Sequence, residues 1–140
     1  MPFREKSAWI MLVVLSVIAL GYFSQIIQWS LQAQEIVSPS MAGVVRFTLA
    51  LVAWTVVSQI VLAVIWPKDA QRRLDERERH IHEKAGNWSG IVLGIGLVTS
   101  LGYYLFYLDG NLLFYMAFAS LIVSQCSEYV FCIINYRRAF

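Results

Sequence analysis

The chain has 140 residues, of which 59% are hydrophobic and 14% charged, with five Trp and a formal net charge of +2. A soluble domain of this length has too small an interior for so much apolar surface, so the excess must face lipid. The charge is too small, and too concentrated in one stretch, for a nucleic-acid-binding protein.

In chain order, a short basic lead with Arg4 and Lys6 opens into an apolar run at 8–29. That run has about the ~20 residues a bilayer crossing needs. Trp9 and Trp29 stand at its ends, as an aromatic belt predicts. The run is too long for a signal-peptide core and no small-residue cleavage site follows it, so it is expected to stay as a span. Residues 30–40 contain no Lys or Arg, and Ser38-Pro39-Ser40 reads as a loop ending in a helix start. A second span, about 41–66, ends at Trp66-Pro67. Residues 67–87 hold six of the eleven Lys and Arg and five of the nine acids, and they read as a charged hinge between two hairpins. A third span covers about 88–108, Asp109-Gly110-Asn111 reads as a tight turn, and a fourth span covers about 111–135. The expected fold is therefore all-α: a single membrane domain built as a four-helix transmembrane bundle of two hairpins.

The basic residues predict the threading. With both termini and the hinge on one side, that side holds ten of the eleven Lys and Arg, and the other holds only Arg46. The positive-inside rule then places both termini in the cytoplasm. A faint internal repeat accompanies this layout. Leu20-Gly21-Tyr22 corresponds to Leu101-Gly102-Tyr103, and Val57-Ser58-Gln59 to Val123-Ser124-Gln125. If the repeat is real, Gly21 and Gly102 mark close helix crossings.

Few polar groups inside the spans can carry chemistry. Glu128 lies about seven residues from the inner end of the fourth span, and an acid at that depth costs about 2.5–3.5 kcal/mol unless it faces the bundle or a cavity. Ser58, Gln59, Ser124 and Gln125 lie at similar depth and complete an intramembrane polar layer around it. That layer is either a proton or cation site at the mouth of a cavity, or a set of interhelical hydrogen bonds. Toward the other side, Arg46 and Gln25 lie at matching depth, near that of Tyr104. They make an outer polar cluster, or else Arg46 simply snorkels to the headgroups. Cys126 and Cys132 are six residues apart, about 240° around a helix, so they form neither a redox pair nor a zinc knuckle.

The hinge reads as a helix over about 70–85, with Arg79 and Glu83 paired at i,i+4 and Leu74, Ile81 and Ala85 as a thin apolar stripe. Leu74, Asp75, Arg77 and Ile81 are its candidate interaction surface. Glu76, His80 and Glu83 share a face whose spacing suits a transition metal, while His82 points elsewhere. No cofactor is expected. No phosphate loop, zinc-protease motif, nucleophile triad or carboxylate pair is found, so a non-enzymatic role is expected.

Asp75-Glu76-Arg77-Glu78-Arg79-His80-Ile81-His82-Glu83-Lys84-Ala85 resembles the D-E-R-x-x-x-I-x-x-[KR]-A signature of uncharacterised small prokaryotic four-span membrane proteins. The resemblance covers about eleven residues and implies the four-helix layout, with no activity attached to it. The expected function is an interaction or regulatory protein that contacts a partner, or a second copy of itself, through the hinge. The alternative is a small oligomeric transporter or channel subunit working through the polar layer around Glu128.

Overall fold

A chain crossing hydrocarbon must satisfy every backbone N–H and C=O within itself, which for apolar runs of this length leaves the α-helix. The computed structural model describes residues 3–73 and 75–139. It contains α1 (Phe3–Ala33), α2 (Met41–Ile65), a short α3 (Pro67–Ala70), α4 (Glu76–Tyr107) and α5 (Gly110–Ala139), with no strand among the described residues. The four long helices are each long and apolar enough to cross a membrane, and they form an all-α four-helix bundle. The protein is a multi-pass membrane protein.

Helix ends are set by side chains. Ser40 caps α2 by accepting from the Gly43 N–H at 3.1 Å. Asp109 accepts from the N–H groups of Asn111 (3.0 Å) and Leu112 (3.4 Å), so α5 begins at Gly110 and the expected tight turn is absorbed into a helix start. The chain reverses one residue earlier, at Leu108, which takes a left-handed conformation (φ 52°) usually left to glycine.

The hinge differs most from expectation. Residues 71–73 and Asp75 are not helical, because Asp75 caps α4 instead of continuing a helix from Ala70. Its side chain accepts from the Glu76 N–H at 2.8 Å, and the Glu78 carboxylate returns to the Asp75 N–H at 3.2 Å. From there α4 runs without a break into the third span, so the hinge is an extension of that helix.

The helices pack in the order α2–α1–α5–α4: α1 lies between α2 and α5, and α5 between α1 and α4. The α4–α5 seam is built from small residues. Buried Ser124 donates to the Ser89 carbonyl at 2.9 Å, and Gly96 lies against Ser120 so closely that a Cβ would meet its Oγ at 2.5 Å. The close crossing is therefore at Gly96. Around Gly21 and Gly102 a Cβ would meet nothing within 4 Å. Ile81 and Ala85 do not form a free stripe; they are buried with Ala8, Cys132, Ile133 and Tyr136. Leu74 lies outside the described residues.

At one end of the molecule the two connections dock together. Tyr115 donates from its hydroxyl to the Val37 carbonyl at 2.7 Å, and Asn111 Nδ2 donates to the Ile36 carbonyl at 3.4 Å. This is the loop end. The opposite, charged end carries the start of α1, the start of α4 and the end of α5.

Candidate functional site

Helix dipoles and charged side chains organise the charged end. Glu5 sits in the first turn of α1, Glu76 and Glu78 in the first turn of α4, and Arg137 and Arg138 in the last turn of α5. Each sign therefore opposes the dipole of its own helix end. The same charges pair between helices. Arg137 Nε donates to the buried Glu5 carboxylate at 3.4 Å, and Arg4 Nε lies 3.9 Å from Glu78. Lys6 sits over the Trp66 ring at 4.0 Å, and Arg137 over Trp9 at 5.7 Å.

Beneath this clasp lies a cavity of about 150 Å³ to which all four long helices contribute. Arg4 and Ser7 come from α1, Gln59 from α2, His82 from α4, and Glu128 and Cys132 from α5. Ser7 and Gln59 bond reciprocally across α1 and α2: the Gln59 amide donates to Ser7 Oγ at 3.0 Å, and Ser7 Oγ donates to Gln59 Oε1 at 3.3 Å. His82 is held at both ring nitrogens, with Nε2 3.3 Å from the hydroxyl of fully buried Tyr136 and Nδ1 3.6 Å from Cys132 Sγ. Glu128 makes no hydrogen bond or ion pair with any described residue, so its carboxyl is the uncommitted group of the cavity.

Tyr129 also lines a second cavity deeper in the bundle, of about 190 Å³ between α1, α2 and α5. This one is apolar apart from Gln125, Thr55 and the tyrosine. Thr55 Oγ1 is buried without a hydrogen-bond partner among the described residues. Other span hydroxyls, such as those of Thr48, Ser58, Thr99 and Ser127, bond back to the carbonyl four residues earlier. Toward the loop end an aromatic cluster closes the cavity, with Phe47 and Phe118 at 5.1 Å between ring centres and Tyr22 against both.

The expected polar layer is thus brought together only in part. Glu128 and Gln59 line one cavity, whereas Gln125 lines the next. Ser58 bonds to the Trp54 carbonyl of its own helix, and Ser124 is committed to the α4–α5 seam. The outer pair does come together: Gln25 and Arg46 line one groove of about 250 Å³ between α1 and α2, without Tyr104. In the hinge, Asp75 is used as a cap and Arg77 is exposed, but buried Ile81 offers no outer surface. The metal face over Glu76, His80 and Glu83 is not assembled. Glu83 is taken by Arg79 at 3.1 Å, and among the described residues no three His, Cys, Asp or Glu side chains gather as a metal ion requires.

Sequence reasoning missed His82, Arg4, Ser7 and Cys132 as cavity residues. The signal was the small-residue phase of α4: Ala85, Ser89, Gly96 and Ser100 mark one inward face, and His82 lies on its continuation into the hinge. No family model matches the sequence, and no curated protein or solved structure is similar to it.

Proposed function

We propose that the protein is a small transporter or channel subunit of the prokaryotic inner membrane, with Glu128 as the proton- or cation-accepting group at its cytoplasmic entrance. One observation carries this reading: an uncommitted carboxyl faces a cavity bordered by Arg4, Ser7, Gln59 and His82, which shares Tyr129 with a second cavity deeper in the bundle. An acid within a span costs about 2.5–3.5 kcal/mol, and a structural acid there would offset that cost by hydrogen bonding, which Glu128 does not do with any described residue. The orientation follows from the ten-to-one bias of Lys and Arg toward the charged end. Four helices make a narrow path, and two or more copies would complete it through the lipid-facing surfaces of α2 and α4.

The test is flux of protons and monovalent cations into liposomes containing the purified protein, comparing wild type with Glu128→Gln. The substitution keeps size and removes charge, so coupled flux should be abolished while the bundle stays folded. Normal flux in Glu128→Gln would sink the proposal. A second reading keeps the hinge as a partner-binding surface, favoured by the exposure of Arg72, Arg73, Asp75, Glu76 and Arg77 at the tip of the charged end. Under that reading Arg77→Glu abolishes function and Glu128→Gln leaves it intact.

A further inference from the structure

The groove between α1 and α2 near the loop end combines a cationic mouth with a floor that is apolar but for the Tyr22 hydroxyl. Arg46, Gln25 and Trp29 line the mouth, and Ile18, Tyr22 and Phe47 the floor. None of Arg46, Gln25 and Trp29 makes a hydrogen bond or ion pair with any described residue. Three sets of unused donors therefore line one groove of about 250 Å³. Arg46 is the one basic residue in the loop-end half of the chain. The acids of that end do not neutralise it: Asp109 caps α5, and Glu35 forms no ion pair.

Depth narrows what the groove accepts. With 25 residues, α2 is roughly 37 Å long at ~1.5 Å per residue, against a hydrocarbon core of ~30 Å. Centred in that core, it overhangs by roughly 3–4 Å at each end. Arg46 lies five residues from Met41, so its Cα is roughly 4 Å inside the boundary, close enough for its guanidinium to reach the phosphate level. The groove floor continues inward from there along α1, where Gly21 adds no side chain and a Cβ would meet nothing within 4 Å. Charge at headgroup depth above an apolar channel of acyl-chain depth is complementary to one kind of molecule.

We infer that this groove is a specific site for a single anionic phospholipid, its phosphate held by Arg46, Gln25 and Trp29 and one acyl chain lying over Gly21 against Phe47. The guanidinium supplies a paired set of donors to the phosphate oxygens, a geometry lysine does not reproduce. The site does not depend on the transport reading, since it lies on the other side of Phe47 from the deeper cavity.

The test uses the full-length protein purified in detergent, with phosphatidylglycerol and phosphatidylcholine as probes and native mass spectrometry as readout. Wild type should take up one phosphatidylglycerol saturably and in preference to phosphatidylcholine. Arg46→Gln should weaken that uptake ~10-fold or more, the worth of a charge-assisted hydrogen bond, and Arg46→Lys by less. Gly21→Leu should also weaken it, because it fills the acyl channel while leaving Arg46 in place and meets no neighbour at its Cβ. Unchanged uptake in Gly21→Leu, or non-saturating uptake of several lipids, would show ordinary boundary lipid touching a snorkelling arginine and overturn the inference. Competition by millimolar inorganic phosphate would assign the site to a free anion, which also overturns it.

Discussion

Gly96 offers a signed test of how the bundle is held together. In Gly96→Ala the new Cβ would lie 2.5 Å from Ser120 Oγ, 2.7 Å from Ser120 Cβ and 3.5 Å from its Cα. Turning the Ser120 hydroxyl away would lose its bond to the Met116 carbonyl at 2.8 Å and still leave the Cβ contact. The two helices must therefore part by several tenths of an ångström along a seam that also carries the Ser124–Ser89 bond. Overpacking of this kind costs ~1–3 kcal/mol, against about 1 kcal/mol of helix propensity gained in replacing glycine by alanine. The net expectation is a loss of up to about 2 kcal/mol. Gly102→Ala carries only the favourable part, because nothing lies within 4 Å of its Cβ, so the two variants should differ by ~1–3 kcal/mol. Ser120→Gly removes both clashing atoms, and in that background Gly96→Ala should behave like Gly102→Ala. Unfolding in detergent micelles, followed by circular dichroism through a denaturant titration, measures all four. Equal stabilities for Gly96→Ala and Gly102→Ala, or a Gly96→Ala effect indifferent to Ser120→Gly, would refute the close α4–α5 approach.

Two further substitutions probe the ends of the bundle by the same titration. Leu108→Gly should stabilise by roughly 0.5–1 kcal/mol, since relief of ~1–2 kcal/mol at the left-handed position exceeds the added freedom of glycine in the unfolded chain. The side chain lost there is 72% exposed, and a destabilised variant would count against the turn described. Glu5→Gln should cost about 1 kcal/mol at low ionic strength, discounted because Arg137 is largely exposed. Half a molar salt should shrink that loss, and a loss independent of salt would argue that the pair contributes shape and not charge.

The four helices were legible because hydrocarbon admits few alternatives, and runs of this length and composition have no other fold to adopt. Where each helix faces was harder to read. Within the hinge alone, Ile81 reads as part of a thin apolar stripe. Its burial comes from Ala8 and Tyr136, which lie 73 and 55 positions away along the chain. The same holds for His82: local spacing pairs it with nothing, while the fold pairs it with Cys132 and Tyr136. Ser58 and Ser124 matched Glu128 in depth, but depth fixes only one coordinate. Their rotation about the helix axis sends one to its own backbone and the other to Ser89. The hinge boundary failed for a local cause: Asp75 with Glu78 is a capping box, and the run of charges masked it.

The packing order α2–α1–α5–α4 has a consequence for biogenesis. Helices leave the ribosome in sequence, yet α1 gains its second main packing partner only when the last helix arrives, after every other segment has been inserted. Until then the carboxylate of Glu5 lacks Arg137, and Ala8 has only the α4 side of its cluster, Ile81 and Ala85, to meet. The two hairpins therefore meet as two prefabricated halves, joined mainly across the first and last helices, with the chain between them serving as a tether. Synthesised as separate polypeptides, the halves retain every contact that unites them.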